Sequence, residues 1–307
     1  MGHNHTHDHG HGHHHHHHAP TSFNLAFGLA VGLNLGFTLV EAIYAIMANS
    51  MSLLADAGHN LGDVLGLLFA WAASYLLTKP ATLRYSYGYK RTSILAAILN
   101  ALLLVVTCTI IGYESIHKLI SPSIVNEKIV MLVAFIGIFI NGGTALLFMR
   151  GQDDLNIKGA FLHLASDALV SFGVVIAGFI ILKTQAFWVD PIVGLLIVVI
   201  ILYSTWGLLR HSVDLILDAV PHGINRKGVE TYLKNIPGVS QIHDLHIWGL
   251  STNESALTAH LIVPTGNFSD ELYAKINHDL HHDFKIAHVT IQVESGTGEP
   301  CSQETSC

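Results

Sequence analysis

Residues 52–63, SLLADAGHNLGD, and residues 163–167, HLASD, each place a histidine four residues before an aspartate inside a long apolar run. The pairs are His59 with Asp63 and His163 with Asp167. Because residues i and i+4 lie on the same face of an α-helix, each pair points an imidazole and a carboxylate in one direction. The spacing therefore predicts two apolar helices that carry matched polar pairs.

A metal site inside a membrane follows from the chemistry of these four side chains. An ionisable group at the centre of a bilayer costs at least about 2.5 kcal/mol on insertion scales, so the four must face inward and find partners. Two neutral imidazoles and two carboxylates are donors that a zinc-like divalent ion takes in tetrahedral geometry. The alternative is structural, with each pair joining helices through hydrogen bonds.

The composition indicates a membrane protein. Hydrophobic residues make up 50% of the 307 residues and charged residues only 12%, with a mean hydropathy of +0.47. Soluble domains carry roughly 25% charged residues. The net charge of -7 comes from carboxylates and no basic stripe is present, which argues against nucleic acid as a partner.

Six apolar windows are close to the roughly 20 residues that cross a bilayer, and they predict six transmembrane α-helices. The first span is preceded by a polar, His-rich segment with no cleavable signal peptide. The windows are about Phe23 to Ala48, Leu53 to Leu77, Thr92 to His117, Ile129 to Met149, Lys158 to Leu182 and Trp188 to Leu209.

Basic residues concentrate in the loops on one side of these spans. The positive-inside rule places that side, and with it both termini, in the cytoplasm, so we expect an integral protein of the cell or inner membrane. The basic residues on the two sides are Lys79, Arg84, Lys90, Arg91, Arg150, Lys158 and Arg210, against Lys118, Lys128 and Lys183.

Beyond Arg210 the hydrophobic runs shorten and charge returns, which predicts a small cytoplasmic α+β domain with the order αββαβ. The overall division is a His-rich tail (1–22), a transmembrane domain (23–209), this domain (210–296) and a Cys-containing tail (297–307). The expected elements are a helix Asn225 to Asn235, strands Ile242 to Trp248 and Ala256 to Val263, a helix Ser269 to Asp283 and a strand Val289 to Glu294.

The N-terminal tail holds eleven of the 23 histidines, alternating from His3 to His11 and continuous from His13 to His18. Such a tract binds zinc, nickel or copper weakly at many registers and would raise the local ion concentration. Six consecutive histidines are also typical of a purification tag. Both interpretations of His13 to His18 stay open.

The small domain is also rich in candidate zinc ligands. His243 and His260 lie on neighbouring predicted strands, Glu294 ends the third, and with His288 they could converge on zinc. The alternative is a set of surface histidines without metal. Further accessory ligands are His246, Cys301 and Cys307; the three cysteines of the chain imply no disulfide framework.

From about Phe23 to Ser295 the sequence resembles the cation diffusion facilitator family of divalent metal transporters, most closely its zinc branch. The resemblance is carried by the motif of residues 52–63, the HLASD motif of residues 163–167, the Asp190-Pro191 pair and the segment His243 to Trp248, HDLHIW.

The resemblance implies a homodimer of six-helix protomers joined through cytoplasmic, metallochaperone-like (ferredoxin-like) domains. It assigns the transport site to His59, Asp63, His163 and Asp167. Cytoplasmic zinc sites fall on His243, His260, His288 and Glu294. A family contact between a cation and a carboxylate maps to Arg91 and Asp218. The loop from Arg84 to Arg91 offers tyrosines in place of the metal ligands of some members, so no metal site is expected there.

Proton coupling follows from the ligands, because zinc binds only neutral histidine and ionised aspartate and so competes with protons. The sequence predicts Zn²⁺/H⁺ antiport by alternating access, with Zn²⁺ as transported ion and as a structural or regulatory ion. It contains no phosphate-binding loop for ATP. The alternatives are a membrane-anchored zinc buffer or sensor, and an intramembrane metallohydrolase, for which no HExxH motif is present.

Two further acidic residues, Glu41 and Asp56, lie within the predicted spans. They either line a water-filled path or join helices through hydrogen bonds.

Overall fold

The computed structural model describes residues 25–147, 155–266 and 268–296. In these ranges an apolar helical bundle is followed by a small α+β domain. The elements are α1 (Leu25–Met47), α2 (Met51–Leu77), α3 (Thr92–Ile120), α4 (Glu127–Leu147), α5 (Leu155–Thr184), α6 (Val189–Ile216), α7 (Arg226–Lys234), β1 (Gln241–Gly249), β2 (Ser255–Ile262), α8 (Asp270–His282) and β3 (His288–Glu294).

The six apolar helices α1 to α6 confirm the predicted transmembrane domain. Helices α2 to α6 are each long and apolar enough to cross a membrane, and α1 is the sixth apolar helix of the bundle. Large apolar side chains such as Ile110, Val199 and Tyr203 are exposed on their outer surfaces, as lipid contact requires.

Helix α6 continues past the hydropathy boundary predicted at residue 210. No glycine or proline interrupts the chain between Leu209 and Ile216, so the backbone keeps its helical hydrogen bonds although the side chains become polar. The helix ends just before Asp218, whose φ of 58° is incompatible with a right-handed helix. The link to the small domain is therefore short.

A stripe of glycines brings α2 against α3. Gly58, Gly62 and Gly66 recur every four residues and so share one face of α2. A Cβ at Gly62 would lie 2.1 Å from Leu104 Cδ2, and one at Gly66 would lie 2.7 Å from Asn100 Nδ2. Small residues of this kind let transmembrane helices approach closely. The histidine and aspartate of α2 each follow a glycine by one residue and therefore lie about 100° around the helix from this contact.

The carboxylate of Asp190, fully buried at the start of α6, caps the start of α2. It accepts hydrogen bonds from Ser50 Oγ (2.5 Å), Ser52 Oγ (2.6 Å) and the backbone N–H of Met51 (2.5 Å). Gly194, one turn further along α6, lets that helix approach the Met51 backbone, because a Cβ there would lie 3.0 Å from it. A negative charge at the N-terminus of α2 also complements the helix dipole.

We expect Asp190→Ala to destabilise the bundle by about 2 to 4 kcal/mol, because the buried donors at the start of α2 lose their carboxylate acceptor. Asp190→Asn, which keeps one acceptor oxygen, should lose less. Thermal unfolding of the detergent-solubilised protein measures the change, with Glu114→Gln on the exposed face of α3 as control. An Asp190→Ala variant as stable as this control would contradict the assignment of Asp190 as the cap.

The small domain is a three-stranded sheet covered by two helices, in the predicted αββαβ order. Strand β2 is central, antiparallel to β1 and parallel to β3. Its side chains Leu257 and Leu261 pack in the core with Leu233 of α7 and Leu280 of α8. Observed and predicted bounds differ by at most one residue at each end. For the helices the difference is the cap residue, such as Ser269, which accepts from Leu272 N–H before the first helical residue.

Polar contacts fasten the small domain to the loop between α2 and α3. Arg91 Nη2 lies 2.6 Å from Asp218 Oδ1, which confirms the expected cation to carboxylate contact. Lys90 pairs with Glu254 in the turn between β1 and β2, and in the same turn Thr252 N–H donates to Ser93 Oγ (3.2 Å). The β1–β2 turn is thereby held against the membrane domain.

Candidate metal centres

The first centre is the intramembrane set predicted from the sequence. His59 Nε2 lies 3.5 Å from both Asp63 Oδ2 and Asp167 Oδ1. His163 Nε2 lies 3.3 Å from Asp63 Oδ2 and 3.7 Å from Asp167 Oδ2. One donor atom from each of the four residues lies within 4.8 Å of the other three. Helices α2 and α5 thus bring both pairs to one point.

These distances fit a tetrahedral zinc ion. Zinc bonds of about 2.1 Å to nitrogen and oxygen place neighbouring ligand atoms about 3.4 Å apart, close to the separations found. Asp167 is buried and His59 and Asp63 are mostly buried, whereas about half of the His163 side chain is exposed. The exposed side of the site is therefore at His163.

A cavity of about 500 Å³ leads from the site toward the small domain. Asp63 and His163 lie at its inner end, Ala70 and Asn100 line its wall, and Asn253 of the β1–β2 turn lies at its outer end. We call this cavity the vestibule. Its position means that an ion from the small-domain side reaches the four ligands without crossing the rest of the bundle.

The opposite side of the site is closed by buried polar side chains. Glu41 of α1, Asp56 and Asn60 of α2, and Ser171 of α5 are at most 1% exposed. Asn60 Nδ2 donates to Glu41 Oε2 (3.1 Å) and Ser171 Oγ donates to Asp56 Oδ2 (2.8 Å). Among the described residues, the vestibule therefore opens toward the small domain, and buried polar side chains pack on the other side of the site.

The second centre lies in the small domain. His243 and His260 face each other across β1 and β2, and Glu294 reaches both from the end of β3. Glu294 Oε2 is 3.2 Å from His243 Nε2, and Glu294 Oε1 is 3.0 Å from His260 Nδ1. Burial alone would raise the pKa of Glu294, but hydrogen bonds with His243 and Gln292 hold it below its usual value. An ionised carboxylate between two imidazoles suits a zinc ion.

A bulge in β1 places a further carboxylate, Asp244, beside the second centre, and no pattern in the sequence predicts it. Asp244 has a left-handed backbone (φ 52°) at the register shift between His243 and His246. Its Oδ2 lies 3.6 Å from His260 Nε2, and its Oδ1 lies 2.9 Å from His246 Nε2. The regular alternation of side chains along a strand does not predict that a bulge redirects the Asp244 side chain toward His260. His246 is thus beside the second centre, through Asp244.

His288 is not brought to this cluster within the chain. It begins β3 opposite Ala256, whereas Glu294 ends the strand opposite Ile262, which separates the two by about 20 Å of extended chain. Its ring instead contacts Tyr87, with ring centroids 5.6 Å apart. Among the described residues, the second centre is therefore His243, His260 and Glu294. Cys301, Cys307 and the His-rich tail lie outside the described residues.

The family described as "Cation efflux transmembrane domain" matches residues 28–217, and that described as "Cation efflux protein, cytoplasmic domain" matches residues 221–296. The chain belongs to the cation diffusion facilitator family. This confirms the resemblance on which the sequence analysis drew.

Curated relatives place the chain in the zinc branch of the cation diffusion facilitators. The metal cation efflux system protein CzcD of Cupriavidus metallidurans is 37% identical over 90% of this chain and 87% of its own length. The zinc transporter ZitB of Escherichia coli is 34% identical (89% and 87%). A Bacillus subtilis protein named "Cadmium, cobalt and zinc/H(+)-K(+) antiporter" is also 34% identical (85% and 85%).

Membership in this family identifies the chain as a transporter of the cation efflux class. Cation diffusion facilitators are transporters and not enzymes, so the metallohydrolase interpretation is excluded. The domain that the family describes as cytoplasmic is the αββαβ domain observed after α6.

The two centres should bind zinc independently. We expect His163→Ala and His243→Ala each to remove about one zinc ion per protomer in titrations of the full chain, because each deletes one ligand of a separate set. Zinc bound by other histidines is the same in every variant, so it cancels when the zinc stoichiometry of a variant is subtracted from that of the wild type. His117→Ala, at the exposed end of α3, is the control. Loss of both ions in either single variant would show that the centres are not independent.

The vestibule predicts one-sided access. In a Cys301→Ser/Cys307→Ser background, Ala70→Cys should react with a membrane-impermeant thiol reagent added on the small-domain side, since Ala70 is exposed in the vestibule. The remaining Cys108 is buried. Ala55→Cys, buried near the closed end of α2, should stay unlabelled. Labelling of position 70 from the opposite side alone would contradict the observed opening.

Proposed function

We propose that this chain exports Zn²⁺ from the cytoplasm in exchange for H⁺, by alternating access at His59, Asp63, His163 and Asp167. One observation carries the proposal: two imidazoles and two carboxylates meet at tetrahedral spacing at the inner end of a vestibule that opens toward the small domain. Such a site binds an ion from one side and, after a conformational change, releases it to the other.

The side on which zinc enters follows from the small domain. The matching family is described as cytoplasmic, and the basic loops are on that same side of the bundle. The vestibule faces this domain and so faces the cytoplasm, with both termini there. We propose the cell or inner membrane as its location.

Exchange with protons follows from the ligand chemistry. Zinc is held by neutral imidazole nitrogen and ionised carboxylate oxygen, so zinc entry displaces protons and protonation after release weakens rebinding. A proton gradient directed into the cytoplasm then drives zinc outward, with no ATP required. The name of the Bacillus subtilis relative, which includes zinc and H(+), supports this exchange.

The centre at His243, His260 and Glu294 has a separate proposed role. Its three donors lie on three different strands, so a zinc ion there would tie the sheet edges together. Three protein ligands leave a fourth position for water or for a residue of a second protomer. We propose that the chain works as a homodimer joined through this domain, with zinc there as a structural or regulatory ion.

Reconstituted vesicles test the transport proposal. We expect the wild type to move zinc against its gradient when a pH gradient is imposed. Asp63→Ala should lose this flux by at least about 100-fold, because one of four ligands is missing, while it still folds. Glu114→Gln should transport normally. Zinc binding without flux in the wild type would instead favour the buffer or sensor function.

A further inference from the structure

Glu41 and Asp56 are carboxylic acids buried in the bundle that are not among the four metal ligands. Both side chains have no solvent exposure. Among the described residues, neither forms an ion pair with lysine, arginine or histidine. Each carboxyl group accepts one hydrogen bond, Glu41 from Asn60 and Asp56 from Ser171. The other two oxygens, Glu41 Oε1 and Asp56 Oδ1, have no hydrogen-bond donor.

Asn60, the donor to Glu41, lies one turn after Asp56 on α2, so the Glu41 and Asp56 carboxyl groups face the same part of the bundle. The donors to the two groups, Asn60 and Ser171, are both neutral. Two ionised carboxylates that lie near each other in a medium without water repel strongly, and among the described residues no ion pair with lysine, arginine or histidine compensates them. Carboxyl groups in such a pair share one proton, as they do in aspartic proteases.

The geometry points to a proton-binding site at Glu41 and Asp56 that carries a counter-transported proton, separate from the metal ligands. This inference rests on the proposed Zn²⁺/H⁺ exchange and names the group that carries part of its proton cargo. In the state in which the vestibule opens toward the small domain, the pair holds the proton. Zinc binding adds two positive charges to the adjacent site, the carboxyl O–H bond breaks, and the proton leaves to water.

The pair is connected to the metal site through both helices. Asn60, which donates to Glu41, directly follows His59 on α2. Ser171, which donates to Asp56, lies one turn after Asp167 on α5. A shift of either helix when zinc binds therefore changes a hydrogen bond to the carboxyl pair.

The titratable groups around the pair belong to two helices. Helix α2 provides His59 and Asp63, and α5 provides His163 and Asp167. Helix α4 presents only neutral groups here, with Gly137 against Ser171 Oγ. The net charge of the metal site is thus the main influence on the proton of the pair, because two carboxylates make the empty site negative and bound zinc neutralises them.

Proton counting tests the site without transport. We expect zinc binding to the detergent-solubilised full chain to release about one proton fewer per protomer in Glu41→Gln/Asp56→Asn than in the wild type. The amides mimic protonated acids but cannot release a proton. Calorimetry in buffers of different ionisation enthalpy gives the count, with Glu114→Gln as matched control. An unchanged count at unchanged zinc stoichiometry would overturn the proposal.

A second variant covers the case in which the double variant does not fold. Ser171→Ala removes the donor to one ionised oxygen of Asp56 and keeps both acids. The pair should then hold its proton more tightly, so proton release on zinc binding should move to higher pH. A release profile identical to that of the wild type would count against the pair.

Vesicle measurements separate this inference from the proposed function. The double variant should keep zinc-for-zinc exchange at equal pH but lose most uphill flux driven by a pH gradient. Uphill flux equal to that of the wild type would overturn the role of the pair and leave Zn²⁺/H⁺ exchange intact. Failure of the wild type itself to respond to the pH gradient would overturn the exchange, and with it this inference.

Discussion

Hydrocarbon offers no partner to a charged side chain, and this constraint organises the transmembrane domain. Every ionisable group that enters the bundle must be paired inside it. His59, Asp63, His163 and Asp167 satisfy each other around one point. Asp190 is satisfied by the start of α2. The positions of α2, α5 and α6 follow from these requirements, and the apolar residues fill the space around them.

Sequence patterns were sufficient for the fold and for the first centre. Hydropathy windows predicted six helices, and the four-residue spacing predicted which faces of α2 and α5 meet, because both signals are local. The order of elements in the small domain was equally accessible from caps and alternation. The resemblance to the family supplied the pairing of Arg91 with Asp218, which no local pattern contains.

Other features depend on three-dimensional contacts that local patterns do not encode. Asp244 turns toward His260 because of a bulge, and bulges leave no regular trace in a strand sequence. The prediction that His288 joins Glu294 at one zinc site is wrong, because parallel pairing of β3 with β2 fixes the two residues at opposite ends of the strand. The sequence contains glycines at 58, 62 and 66, but only the structure shows that their spacing lets α3 pack closely against α2.

Helix α6 extends without a break from the cap at Asp190 to the short link before Asp218. One end is fastened to the closed side of the bundle, and the other end is fastened, through Arg91, to the loop beside the vestibule. A rod of 28 residues, about 42 Å long, does not bend easily. In the proposed alternating access, a tilt of this rod moves its two ends in opposite directions and so couples opening at one face of the membrane to closing at the other.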